Sequence, residues 1–339
     1  KRTQKRDNTV FGGCDYIKTV TNPLDLWVLV GYYIIMKNTH LEHPEDAIFN
    51  NGKQGAIDVL KWFAAKNSTL SVKYDGAPAI VWGINPENNK FFVGTKSVFN
   101  KVKVKINYTH SDIELNHGSN AKVASILHLC LEKLPKVTGV YQGDWIGYGG
   151  STEYKPNTIT YKFDRRVYQD IVFAAHTTYH GDCMKDMSAE FAFPDNLHTL
   201  DVKLLDTACD IKRRKLRIGV LIALAKVLIR FTSFTDETIG KHVKVTVNSY
   251  IRRGVTPDPQ KLAEETGLDV NLFHLYLLLM DIKHHLLDGI VARENVTCLI
   301  DDKVCAHEGF VMSNDYGTYK LVDRETFSYY NFNNRKDWK

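Results

Sequence analysis

Residues Thr69 to Gly83 alternate β-branched side chains with others, break at Gly76-Ala77-Pro78, and resume as an apolar run. That pattern predicts strand, tight turn, strand. The turn sets Lys73 beside the carboxylate of Asp75 in the sequence Lys73-Tyr74-Asp75-Gly76, with apolar walls behind. A lysine in such a place can act as a nucleophile once it loses its proton, because desolvation and nearby cations depress an amine pKa. A plain hairpin carrying a solvated lysine has the same pattern. The chemistry therefore depends on which other groups the fold brings to Lys73.

Four further stretches carry groups that could join it. Gly143-Asp144-Trp145-Ile146-Gly147 reads as a strand with an acidic residue just before a glycine-rich turn. Ala306 to Met312 and Thr318 to Val322 read as a hairpin presenting Glu308 and Lys320, which by itself is equally a solvated charge pair. Lys90 to Ser97 reads as a strand ending in Gly94-Thr95-Lys96-Ser97; Thr95 between glycine and lysine, and Asn89 where a glycine belongs, exclude a P-loop. Lys101-Val102-Lys103-Val104-Lys105 alternates strictly and predicts a strand with its three lysines on one face, either a solvated edge or a strip that tracks phosphates. His176 and His180, near Asp182 and Cys183, have a spacing that invites a metal, but a strand would keep them apart.

The elements that must position these groups follow from periodicity. Helices are predicted over Pro23–Met36 and Gln54–Lys66, then strands from Leu70 to about Phe173, interrupted by a buried helix over Asn120–Leu134. Asp170 to His176 is a further apolar strand. Helical periodicity returns over Leu204–Phe231, with the basic run Lys212-Arg213-Arg214-Lys215 on its early turns, then over Asp236–Arg253, from Pro259 to Gly267, and over Asp269–Leu287. The organisation expected is residues 1–200 and 289–339 as two parts of one α+β domain, with residues 201–288 as an inserted all-helical subdomain.

Composition narrows the classes. Hydrophobic residues make up 44% and charged ones 24%, ordinary for a soluble globular protein. The balance of 44 basic and 39 acidic residues, +5 net, is mildly basic and compatible with a polyanion partner. Six scattered cysteines without a CxxC pair argue against a disulfide framework or a zinc site and suit a reducing, cytoplasmic setting. The basic start lacks a signal peptide's apolar run, and Ile218–Ile229 and Leu272–Met280 are too short to span a bilayer, so no membrane partner is expected.

Taken in order, Lys73-Tyr74-Asp75-Gly76, Gly143-Asp144-Trp145-Ile146-Gly147, Phe173, Glu308-Gly309-Phe310-Val311 and Tyr319-Lys320-Leu321-Val322 resemble the motifs of the covalent nucleotidyltransferases. That superfamily comprises the ATP-dependent RNA and DNA ligases and the mRNA capping guanylyltransferases. The resemblance covers about residues 70–175 and 296–325. It implies a nucleotidyltransferase (adenylation) domain of antiparallel sheets with flanking helices, using ATP and Mg²⁺ (or Mn²⁺). It also implies roles: Lys73 as the nucleophile that takes AMP as a phosphoramidate, with Val72, Asp75 and Gly76 around it. Asp144 would contact ribose or metal, Phe173 would stack on the base, Glu308 would organise the metal, and Lys320 would grip the α-phosphate. Lys96 is a second candidate for a phosphate.

The sequence departs from the family at Pro78, where many relatives carry arginine, and at Ser71, where many DNA ligases carry glutamate. Asp144 replaces the usual glutamate, and Val322 replaces a second lysine. Little chain follows Lys320, so no OB domain is expected there, which favours an RNA ligase of the RNA-repair type, with RNA as partner and DNA as the alternative. DNA ligase, guanylyltransferase, and a nucleic-acid-binding protein without turnover are the other readings.

Overall fold

In a computed structural model, residues 41–191, 197, 199–211 and 216–328 are described. The chain divides into two units, residues 1–33 and 34–339, and every described residue lies in the second. The expected helix over Pro23–Met36, Cys14 and the basic run Lys212–Lys215 fall outside the described residues.

A 3-10 turn, Pro44–Asp46, leads into α1 (Ala47–Asn50) and α2 (Gly52–Ala64). In α2 the buried Ala56, Val59, Leu60 and Phe63 recur at helical spacing, so one stripe faces the core. Strands β1 (Thr69–Lys73), β2 (Ala79–Asn85) and β3 (Lys90–Gly94) follow, then a 3-10 turn over Lys96–Phe99. Helix α3 (His110–His117) starts at a reciprocal Thr109–Asp112 capping box, and α4 (Ala121–Lys133) is capped by the Asn120 side chain. Next come β4 (Val140–Tyr148), β5 (Glu153–Tyr154), β6 (Thr160–Phe163), β7 (Ile171–His180), β8 (Ser188–Glu190), β9 (Val202–Leu204) and β10 (Cys209–Ile211). The helical block is α5 (Leu216–Leu228), α6 (Glu237–Arg252), α7 (Pro259–Thr266) and α8 (Val270–Leu287). The chain then returns as β11 (Ile290–Ala292), β12 (Val296–Ile300), β13 (Lys303–Cys305), β14 (Gly309–Asn314) and β15 (Gly317–Val322).

The fold is α+β, built mainly on antiparallel sheets. The largest runs β3-β2-β4-β7-β8, with β9 added parallel to β7; a second runs β1-β14-β15 and a third β13-β12-β6-β5. Alternation sorts the large sheet's faces. Ile80, Trp82, Tyr141, Trp145, Phe173 and Ala175 pack with Ala124, Ile126, Leu127 and Cys130 of α4, while Val81, Phe92, Val140 and Tyr179 lie in a separate cluster. The second sheet shares its core with α1, α2, α5, α6 and α8.

Several sequence expectations need correction. The stretch Thr69–Gly83 is not a hairpin: β1 pairs with β14 and β2 with β3 and β4, so the Gly76–Pro78 corner carries the chain between two sheets. Lys101–Lys105 is not a strand. Lys103 adopts φ 57°, and the segment folds back so that the Lys105 amide donates to the Ser97 carbonyl, leaving no ladder to align its lysines. Leu204–Phe231 is not one helix; residues 202–204 and 209–211 are taken by pairing with β7 and β11, and the helix described there is Leu216–Leu228. The helical block therefore begins after residue 211, and it shares a core with the sheets. The five described cysteines are all free thiols. No helix among the described residues is long and apolar enough to cross a membrane.

Candidate active site

The corner after β1 can pass close to β4 because residue 76 is glycine. A Cβ there would lie 2.7 Å from both the Asp144 Cβ and the Trp145 carbonyl oxygen. This contact sets Asp144 of β4 beside the end of β1. Between the large sheet and β1-β14-β15 is a cavity of about 230 Å³ lined by Val72, Lys73, Lys96, Asp144 and Lys320, all expected from the sequence. β1 supplies Lys73, β4 supplies Asp144, β15 supplies Lys320, and the 3-10 turn after β3 supplies Lys96.

Glu308, just before β14, closes the arrangement: Lys73 Nζ donates to its Oε2. Lys73 is half-buried and Glu308 buried. Burial acts to lower the Lys73 pKa, but Glu308, Asp75 and Asp144 outweigh it and hold the ammonium above the ordinary lysine value. Three carboxylates thus act on one amine through their charge, and Glu308 is hydrogen-bonded to it. Lys320 is shifted the other way: burial lowers its pKa, Asp46 opposes this, and Arg324 and Lys73 add to the lowering. Its amide donates to the Glu42 carbonyl at 3.1 Å. Asp75 is not among the residues lining the cavity; it accepts from Asn157 Nδ2 at 3.1 Å and the Thr158 amide at 3.4 Å. Burial, then Glu308, push its carboxyl up to about 6 against Lys73 and these hydrogen bonds.

A buried ionic network braces the floor. Lys283 of α8 donates to Glu45 Oε1 at 2.6 Å, and Arg324 Nη1 donates to Asp46 Oδ1 at 2.9 Å and to the Tyr276 hydroxyl at 3.1 Å. The helical block is thereby locked to residues 42–46, which adjoin Lys320.

Phe173 does not face the cavity. It lies on the opposite face of β7, fully buried, with its ring 5.3 Å from and perpendicular to Trp82. Strand parity up to a bulge at His176 decides this: Ala174 lines the cavity and Phe173 and Ala175 line the α4 core, while beyond the bulge Thr177 and Tyr179 line the cavity. His176 Nε2 lies 3.7 Å from Asp144 Oδ2, while His180 pairs with Glu190, so the two histidines do not share a site. Sequence reasoning missed Gln142, Thr177 and Tyr179 as lining residues. The available signal was strand parity, since Gln142 stands two before Asp144 on the same face.

No cluster of three or more His, Cys, Asp or Glu side chains suited to a metal occurs among the described residues. A magnesium ion needs no such cage, because one or two carboxylates plus substrate phosphate oxygens hold it. Asp144 lines the cavity and Glu308 is hydrogen-bonded to the cavity-lining Lys73, so these two carboxylates are donors of that kind.

No curated protein and no solved structure matches the chain. Residues 38–268 and 260–336 match the model of a family of unknown function, DUF6267, and the chain belongs to that family.

Proposed function

We propose that this protein has the nucleotidyltransferase fold and is an ATP-dependent RNA ligase acting through a lysyl-AMP intermediate. The observation that carries the reading is the gathering of Lys73, Asp144 and Lys320 around one cavity from distant parts of the chain, with Glu308 hydrogen-bonded to Lys73.

The amine of Lys73 attacks the α-phosphorus of ATP; the nitrogen–phosphorus bond forms as the bond to pyrophosphate breaks. The ammonium proton must leave first, and Glu308 Oε2 is its hydrogen-bond acceptor. Lys320 and Lys96 place positive charge where the phosphate oxygens gain negative charge. Asp144 and Glu308 would hold Mg²⁺ or Mn²⁺, which supplies further positive charge to those oxygens when bound. AMP then passes to the 5′-phosphate of an RNA end, and a 3′-hydroxyl displaces it to seal the strand. The preference for RNA over DNA rests on the resemblance to the RNA ligases.

Incubation with Mg²⁺ and α-labelled ATP or GTP, followed by denaturing electrophoresis, tests this. The wild type is expected to retain label from ATP, and Lys73→Ala is expected to retain none. Sealing of nicked and single-stranded RNA and DNA then separates the substrates. Labelling by GTP alone would indicate a capping-type enzyme, sealing of DNA alone a DNA ligase, and no labelling a binding protein on the same scaffold.

A further inference from the structure

The cavity lining mixes two kinds of side chain. Lys73, Lys96, Asp144 and Lys320 carry charge. Other lining positions are neutral and polar: Ser71 on β1, Gln142 on β4, and, beyond His176, Thr177 and Tyr179 on β7. Residues two apart on a strand face the same way about 6.5 Å apart, so on β1 and on β4 a charged lining position, Lys73 or Asp144, has a neutral, hydrogen-bonding one beside it, Ser71 or Gln142. A nucleotide has the same division, with phosphates at one end and a heteroaromatic base at the other.

Gln142 is 5% exposed, and its Oε1 accepts from the Tyr179 hydroxyl at 2.7 Å. Burial raises the Tyr179 pKa well above its ordinary value, so the hydroxyl keeps its proton. Gln142 lines the cavity, and with its amide oxygen engaged by Tyr179 the amide nitrogen is the donor left over, with no hydrogen bond to a described residue. The nitrogen is not one of the buried polar atoms that lack a partner, so it can be reached and can donate to an acceptor that enters the cavity.

We propose that Gln142 selects the base of the bound nucleoside triphosphate, donating from its amide nitrogen to a ring or carbonyl acceptor, with Tyr179 as the positioning residue that fixes the amide. This rests on the nucleotidyltransferase reading and adds the determinant of base choice. A base with no acceptor at that point leaves the N–H unsatisfied and is rejected, as sites built to hydrogen-bond a substrate reject analogues that lack the group.

The test measures covalent labelling and equilibrium binding with ATP, GTP, CTP and UTP for wild type, Gln142→Leu and Tyr179→Phe, with melting temperatures as a check on folding. Wild type should favour one base by about tenfold or more. Gln142→Leu should level the four nucleotides by raising KM for the favoured one about tenfold or more, with kcat little changed. Tyr179→Phe, which removes one oxygen and frees the amide to rotate, should narrow the preference by the same split; it decides alone if Gln142→Leu fails to fold. A labelled wild type without base preference, or variants that keep the wild-type preference, would overturn this inference and leave the ligase reading standing. A wild type that neither binds nor retains any nucleotide would overturn both.

Discussion

The ammonium of Lys73 meets the carboxylate of Glu308 although 235 residues separate them in sequence. The register makes this possible: β1 pairs antiparallel with β14, placing Lys73 opposite Gly309, the residue next to Glu308. On the proposed mechanism this ion pair would be the resting state, keeping the amine protonated until charge is redistributed around it.

Replacing Glu308 by glutamine removes the largest influence holding the Lys73 proton, and burial then acts against fewer opposing charges. Modification of Lys73 by an amine-directed reagent, followed by peptide mass analysis across pH, should shift to lower pH in Glu308→Gln. Lys73→Arg should behave differently. It keeps a cation for Glu308 but cannot deprotonate, so labelling is lost while stability changes by about 1 kcal/mol or less.

Asp75 links the site to pH-dependent stability. Its carboxyl is pushed up to about 6 by burial and by Glu308, from an ordinary value of 3.8. Between these values the folded state binds more protons than the unfolded state, so stability falls as pH rises from about 4 to about 6. The loss from this group is of the order of 2–3 kcal/mol and is complete above its folded pKa. Urea unfolding at a series of pH values should show that slope in the wild type, and Asp75→Asn should remove this contribution.

Arg324 is buried against Asp46, Glu45 and Tyr276. Arg324→Met leaves the Asp46 and Glu45 carboxylates short of a partner and should cost about 3–5 kcal/mol. Adding Asp46→Asn removes one of the stranded charges and should recover part of that loss. Denaturant unfolding of the single and double variants provides the comparison.

Phe173 distinguishes a core residue from a base platform. Phe173→Ala should cost about 3–5 kcal/mol in unfolding, as expected for an emptied aromatic site in a packed core. Phe173→Leu keeps most of the volume and should leave nucleotide affinity within about twofold of wild type, since the side chain touches Trp82 and not the cavity. A large loss of affinity in a well-folded Phe173→Leu would return the ring to the binding site.

Local pattern alone determined a good deal. The caps at Asp236, Asp258 and Asp269, and Gly267 in the left-handed conformation at φ 69°, end or begin helices where the sequence places them. Lys73, Asp144 and Lys320 lie on strands, as their alternation implied. These features depend on a few neighbouring residues, so composition and spacing suffice. Tertiary structure decided what depends on a distant partner. Residues 202–211 have an apolar pattern that a helix or a strand could satisfy, and the free edges of β7 and β11 took them as strands. Lys101–Lys105 alternates like a strand but has no edge to join. Phe173 was misplaced by one residue of parity, and in a strand one residue is a whole face, so pairing and packing, not residue type, excluded it from the cavity.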